Sequence, residues 1–374
     1  MRRRTFVERM GVLSGAGLVA GCGAGEESTP AAGSGTVSGP RVEWRLASSY
    51  PASLGIIMGA AESLAARVSA VTGGRFRIRV YPAGEIVPGL QVMDAVQQGT
   101  VQAGHTASYF YTGKNPALAF DTGVPFGLTA RQQNAWLYGA GGIELLRPIF
   151  AELGVVQLPM GNTGCQMGGW FREPLTDRSQ LASLRMRVPG LGGEVFSRMG
   201  VAVQVLAAGD IFPALERGAI DATEFVGPYD DERLGFHQVA PYYYYPGFAE
   251  PGVTSSLHVN ASAWTSLPSE YQALLEAVTR EVNQEMLFRY DVENPPALRR
   301  IVQEHGIELR AFPEGVLEDA WGESVALLEE LAGESSDFRR ILASWAEFRR
   351  ESFRYFQGNE LSYQTFAFPR GSGA

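Results

Sequence analysis

The segment from Val42 to Ala107 constrains the fold most tightly, because its apolar periodicity alternates between strand-like and helix-like spacing. Val42-Glu43-Trp44-Arg45-Leu46 reads as a strand. Ile57, Ala61, Leu64, Ala65, Val68 and Val71 fall at helical spacing, with Gly73 as the stop. Arg75 to Tyr81 sets Phe76, Ile78 and Val80 against Arg75, Arg77 and Arg79, the alternation of a half-buried strand. Leu90 to Gln98 reads as a second helix closed by Gly99, and Val101 to Ala107 as a third strand. A strand–helix–strand–helix–strand run builds an open sheet of the α/β class, expected to be parallel.

A short echo of this unit lies downstream. Asp94-Ala95-Val96-Gln97-Gln98-Gly99 precedes a strand reaching His105-Thr106, and Pro213-Ala214-Leu215-Glu216-Arg217-Gly218 precedes one reaching Glu224-Phe225. Two such units imply two similar lobes with a cleft between them. Ligands of open α/β sheets sit beyond the carboxyl ends of the strands, which places His105 and Glu224 near that cleft. His105 itself reads as a satisfied hinge histidine. From Ser266 the chain becomes mostly helical, with Ile307 to Phe312 as a last strand. Val316 to Phe356 is amphipathic, interrupted near Gly333, and carries more apolar surface than one peripheral helix needs, which points to a second molecule.

The N-terminus belongs to targeting rather than to the fold. Arg3-Arg4-Thr5-Phe6-Val7 resembles a twin-arginine export signal, and the apolar stretch Met10 to Ala20 is too short for a membrane span, which needs about 20 residues. Val19-Ala20-Gly21-Cys22 resembles a lipobox, in which Cys22 would carry the lipid. Gly23 to Gly39 is a Gly/Ser/Thr/Pro/Ala tract that reads as a flexible tether. Cys165, left without a partner, reads as a small buried thiol.

Composition narrows the chemistry. A net charge of −9 argues against nucleic acid as a partner. Two cysteines rule out a disulfide framework or a thiolate zinc site, and the four histidines form no HExxH pair. There is no GxxxxGK[ST] and no GxSxG, and Gly190-Leu191-Gly192-Gly193 lacks dinucleotide-binding spacing. The sequence does not advertise an enzyme.

The dense segments are Gly161-Asn162-Thr163-Gly164-Cys165-Gln166-Met167-Gly168-Gly169-Trp170-Phe171, Leu184-Arg185-Met186-Arg187-Val188-Pro189-Gly190, Glu224-Phe225-Val226-Gly227-Pro228-Tyr229-Asp230-Asp231-Glu232, and Tyr242-Tyr243-Tyr244-Tyr245-Pro246-Gly247-Phe248-Ala249-Glu250. With these motifs the chain resembles the extracytoplasmic solute receptors of tripartite ATP-independent periplasmic (TRAP) transporters, the DctP-type family. The likeness is greatest to the branch that binds 2-oxo acids and lactate together with a metal ion, and it runs from about Trp44 to the C-terminal helices.

The resemblance implies a two-lobed periplasmic-binding-protein-like fold. Residues 1–21 would be the signal peptide and 22–40 the tether. Residues 41–160 would form lobe 1, 161–250 mainly lobe 2, and 251–315 a return to lobe 1. Residues 316–374 would be a C-terminal helical segment that forms a homodimer. It also implies Arg187 as the partner of the ligand carboxylate, a role for which a planar two-pronged guanidinium is suited. Alternation alone cannot choose between Arg187 and Arg185, which share a strand face. Gln166 matches a ligand-contacting amide. Glu224, Glu250 and the backbone carbonyl of Phe225 match ligands of a Na or Ca ion, hard cations that prefer oxygen donors.

The implied partners are a small organic acid and the small and large membrane subunits of a TRAP permease. Readings of other classes remain beside transport: an enzyme acting on the same small organic acids, a hydrolase using the glutamate pair as acid and base, and a sensor that presents ligand to a receptor. Phe225 and Phe248-Ala249 stand where the family is richer in Trp, so the pocket wall differs. Asp230-Asp231-Glu232 reads as a solvated loop and the four tyrosines as a packed strand. The lipobox yields the first prediction: Cys22→Ala should release the exported protein from membranes, and tight retention after a high-salt wash would count against lipidation.

Overall fold

The computed structural model describes residues 39–371. The signal peptide, Cys22 and nearly all of the tether lie outside the described residues. Two sheets organise the chain. The first has five strands and the second six.

The opening run folds as its periodicity predicts. Strand β1 (Val42–Ser48) pairs in parallel with β2 (Phe76–Tyr81) and with β3 (Ala103–Thr106). A helix over Ile57–Val71 connects β1 to β2 and a shorter one over Val92–Gln97 leads into β3. The chain leaves the first helix through Gly73 and Gly74, both at positive φ, where a side chain would be strained. The sheet is not wholly parallel, however. Strand β10 (Thr254–Asn260) enters between β3 and β4 (Val155–Asn162), antiparallel to both.

The second sheet holds β5 (Gly169–Phe171), β6 (Arg185–Arg187), β7 (Ala202–Gln204), β8 (Ala222–Thr223), β9 (Tyr242–Tyr245) and β11 (Glu308–Ala311). Strand β11 runs parallel to β9, so residues 308–311 close the second sheet. The sequence reading had returned this stretch to the first lobe. Strand order depends on pairing partners far apart in the chain, which local pattern does not encode. The tyrosine strand packs as expected, with Tyr243 and Tyr244 fully buried.

A 35-residue helix, Ser269–Gln303, about 52 Å long at 1.5 Å per residue, ties the two sheets together. Its first half buries Tyr271, which stacks on Phe76 of β2 at 5.3 Å. Further along, Tyr290 donates to Asp230 at 2.5 Å, and Arg300 pairs with Glu232 at 2.6 Å. These contacts correct the reading of residues 230–232 as a solvated loop. Pro228–Arg233 is a helix, entered through Gly227-Pro228, with Asp230 and Asp231 in its first turn, where the helix dipole favours acids. Both aspartates are buried. Cys165 is corrected in the other direction: it is exposed while its neighbours Thr163 and Gln166 are buried.

The C-terminal segment forms the helices Glu314–Glu334 and Ser336–Phe356, broken at Ser335, whose side chain caps the second, and a last helix, Ser362–Gly371, reached through a π-helical turn over Gln357–Leu361. Phe338, Ile341 and Trp345 are buried in the chain's own core. The Phe120 ring lies 4.9 Å from Phe338 and 5.8 Å from Trp345. Part of the apolar surplus is therefore intramolecular. Trp345→Ala should destabilise the fold by about 3–5 kcal/mol, read from urea unfolding.

Candidate functional site

One edge of the second sheet collects the residues singled out by sequence. Arg187 is the last residue of β6, and Glu224 lies one position past β8, its neighbour, where Arg187 pairs with Thr223. Strand β5 runs antiparallel to both β8 and β9. The start of β5 therefore lies at the edge where β6, β8 and β9 end. Gln166 precedes β5 and Glu250 follows β9, so both reach that edge. The Gln166 backbone N–H donates to the Glu250 backbone carbonyl at 3.2 Å, and the Met167 N–H to the Val226 carbonyl at 3.3 Å. Gly247 permits this close approach, since a Cβ there would sit 2.2 Å from the Gln166 carbonyl oxygen.

Arg187 is held on its backbone side. Nη1 donates to the Glu224 carbonyl at 2.7 Å and Nε to the Leu206 carbonyl at 3.2 Å, and its Cζ lies 5.5 Å from the Phe225 ring centre. Its Nη1 stands 3.6 Å from Glu224 Oε2, with both side chains 2% exposed. Arg185 differs: it is exposed and forks onto Asp221 at 2.7 and 2.9 Å. Burial thus separates two arginines that alternation could not.

The acceptor side of the site is uncompensated. Both carboxylate oxygens of Glu224, both of Glu250 and Oε1 of Gln166 are buried without a hydrogen-bond donor. Gln166 spends its amide Nε2 on Thr163 Oγ1 at 3.1 Å, which leaves its carbonyl oxygen to the site. Buried polar atoms in native proteins are nearly always satisfied, so five orphaned acceptors together define a place for something electropositive. Among the described residues no three His, Cys, Asp or Glu side chains group as metal ligands. A cation here would use two carboxylates, an amide oxygen and a main-chain carbonyl, a donor set that fits Na or Ca and not a thiolate or imidazole metal.

Electrostatics agree. Burial pushes Glu250 up to about 8, opposed first by Arg187 and then by the nearby Tyr109 and Gln166, although neither makes a hydrogen bond of ordinary geometry with it. Burial and the neighbouring Glu250 charge push Glu224 well above the carboxylate range, against the pull of Arg187. Two carboxyls that resist ionisation beside one arginine would both ionise more readily with a cation between them.

The loop carrying Glu224 and Phe225 is anchored by Asp231. Its Oδ2 accepts from Trp170 Nε1 at 2.9 Å and the Tyr243 hydroxyl at 2.7 Å, and its Oδ1 from the Val226 and Gly227 N–H groups at 3.3 and 3.2 Å. Sequence reasoning missed this anchor. It also missed Tyr50 and Tyr109, which arrive from the first sheet and whose hydroxyls are held neutral by burial first, with the Glu250 charge adding to it. Tyr50 follows β1 and Tyr109 follows β3, so the rule that ligands sit beyond strand ends would have found them. His105 is buried and neutral, its ring nitrogens 3.3 Å from Ser48 Oγ and 3.2 Å from Ser255 Oγ. A surface cavity of about 610 Å³, lined by Arg172, Arg185 and Asp221 among others, includes none of Gln166, Arg187, Glu224 or Glu250.

The raised carboxyls set a pH dependence. The folded state holds protons that the unfolded chain releases above about 4.5, so their stabilisation is complete below that pH and is lost as pH rises through about 8. Thermal unfolding of the cation-free protein should therefore show stability falling between those values. Glu250→Gln should flatten the fall.

Comparison with known proteins places this geometry. The profile of the bacterial extracellular solute-binding proteins, family 7 (DctP), matches residues 47–333. A monocarboxylate 2-oxoacid-binding periplasmic protein of Nostoc sp. is 47% identical over 367 residues, 98% of this chain and 99% of its own. A TRAP transporter solute-binding protein of Bordetella bronchiseptica, solved as a mixed-occupancy dimer with copurified calcium and picolinate, is 44% identical. That match covers 89% of this chain and 99% of the other, at a TM-score of 0.88. A TRAP solute-binding protein of Pseudoalteromonas atlantica with bound sodium and pyruvate is 34% identical, covering 87% and 99%, at a TM-score of 0.85. The chain belongs to the DctP family of periplasmic solute-binding proteins, the solute receptors of TRAP transporters.

Proposed function

We propose that the protein captures a small 2-oxo or 2-hydroxy monocarboxylate together with a Na or Ca ion and delivers it to the small and large membrane subunits of a TRAP permease. The five buried acceptor oxygens without donors, set beside a buried arginine, carry this reading. Glu224, Glu250, the Phe225 carbonyl and Gln166 Oε1 hold the cation. Arg187 takes the ligand carboxylate, and the acid's neighbouring oxygen completes the shell of the ion. Two ionised glutamates, one arginine, a monocarboxylate and a divalent cation sum to zero charge; a monovalent ion leaves one negative charge. Tyr50 and Tyr109 from the first lobe close over the acid.

Relatives that bind the same chemistry support the assignment, among them a Colwellia psychrerythraea protein solved with calcium and pyruvate. Receptors of this family bind solute rather than transform it, and pyruvate incubated with the protein should be recovered unchanged. The reading includes the lipid on Cys22 as the membrane tether on the periplasmic side.

Calorimetry across a metal titration tests the division of labour. Removing one partner of a desolvated charge pair costs about 2–5 kcal/mol. Arg187→Ala should thus weaken pyruvate binding by about 30-fold or more, and Arg187→Lys should rescue poorly because an ammonium lacks the fork. Glu224→Gln and Glu250→Gln should instead raise the cation concentration that binding requires, with excess cation restoring part of the affinity. Unchanged wild-type binding after exhaustive removal of Na and divalent ions would take the metal out of the mechanism.

A homodimer through the C-terminal segment belongs to the same proposal. Tyr355, Tyr363, Phe366 and Phe368 are each more than 60% exposed, a density of aromatic surface that a monomer does not leave to water. Because Phe338, Ile341 and Trp345 belong to the chain's own core, the informative truncation keeps them and ends at Phe356. That variant should fold and run as a monomer in light scattering. A monomeric mass for the intact chain at micromolar concentration would overturn the dimer.

A further inference from the structure

The outer face of β1 and β2 is strongly basic in a chain whose net charge is −9. Val42 pairs with Phe76, Glu43 with Arg77 and Arg45 with Arg79, so the residues alternating with the buried Trp44, Phe76 and Ile78 share one face. That face carries Arg41, Glu43, Arg45, Arg75, Arg77 and Arg79, all exposed. Among the described residues none of the five arginines is joined to a carboxylate in an ion pair. Four of them are held instead by neutral groups: Arg75 Nη1 donates to the Gly39 carbonyl at 3.2 Å, Arg77 Nε to the Gly74 carbonyl at 3.1 Å, Arg45 to the Thr100 carbonyl, and Arg79 lies over the Tyr81 ring. Their charge is therefore left to the solvent.

β2 is an edge strand, and charge along an edge discourages strand-to-strand aggregation. Either sign would serve that purpose. Five of six charges of one sign, on an acidic protein, need a different cause.

We infer that this face rests on an anionic phospholipid surface. Two placements favour a membrane over a protein partner. The sequence tether ends at Gly39, whose carbonyl Arg75 holds, so the chain enters the folded body at the basic face itself. Strands β1 and β2 are parallel and the patch begins at their amino ends, whereas Tyr50 lies past the carboxyl end of β1. Contact with a bilayer there leaves the ligand-binding edge uncovered. The acidic remainder does not cancel the attraction, because charges more than about 8 Å apart are largely screened at physiological salt. A lipid anchor combined with a basic patch holds a protein at a membrane more firmly than either alone. The inference is independent of the ligand site.

The test uses the mature chain with Cys22→Ser, so that no acyl chain contributes, and vesicles of phosphatidylcholine with or without phosphatidylglycerol. Cosedimentation should appear only with the anionic vesicles and vanish in high salt. Each arginine near such a surface contributes about fivefold to partitioning. The triple variant R41Q/R77Q/R79Q should therefore bind about 100-fold more weakly, with an unchanged melting temperature and unchanged pyruvate affinity. The matching triple Lys variant should bind within a few-fold of wild type, since a diffuse field does not require the guanidinium fork, and millimolar inorganic phosphate should not compete. Equal association with both vesicle types, none with either, undiminished binding by the Gln variant, or association only when permease subunits are present would each overturn the inference.

Discussion

Two glutamates removed from water beside one arginine set the terms for the rest of the molecule. Burying an unpaired carboxylate is costly enough that a protein neutralises it, pairs it or binds a cation to it. Here a single guanidinium stands 3.6 Å from Glu224 and spends its shortest bond on a backbone carbonyl instead. The carboxyls therefore remain under-compensated, and their raised proton affinity expresses that debt. On the proposed reading a cation and an acid bound together would relieve it, which would couple the two ligands.

The scaffold serves to hold these groups at one edge. Strand ends β6, β8 and β9 and the start of β5 deliver Arg187, Glu224, Glu250 and Gln166 from segments spread over 85 positions of sequence. A second polar layer keeps them there. Asp231 ties the Val226-Gly227 turn to Trp170 and Tyr243, and Tyr290 of the long helix reaches Asp230 beside it. Since that helix also packs on β2 through Tyr271, one helix contacts both the first sheet and the short helix that follows the Glu224 loop. A closing motion of the two lobes would have this helix as its common member.

Much of the site was legible through resemblance, and less through residue chemistry alone. The motif around Gln166 and the Glu224-Phe225 pair stood out by density, yet nothing local distinguished Arg187 from Arg185. The structure separates them because Arg187 faces Leu206 and Glu224 while Arg185 meets Asp221 at the surface. Tyr50 and Tyr109 were within reach of the strand-end rule but carry no motif. Asp230 and Asp231 misled for a physical reason: a run of acids normally stays in water, and their side-chain donors come from residues 12 to 61 positions away.

By itself the sequence determined what short-range physics controls. Apolar spacing set the β1-to-β3 run with its two helices, the glycines at positive φ set where the first helix ends, and the amphipathic C-terminal stretch was bound to be helical. Only the tertiary structure decided that β10 runs antiparallel between β3 and β4, and that β11 joins the second sheet. It likewise decided that Phe338 and Trp345 fill the chain's own core, and which charged side chains lose contact with water. Those outcomes turn on strand pairing and desolvation between residues distant in the chain, and neither quantity exists until the chain has folded.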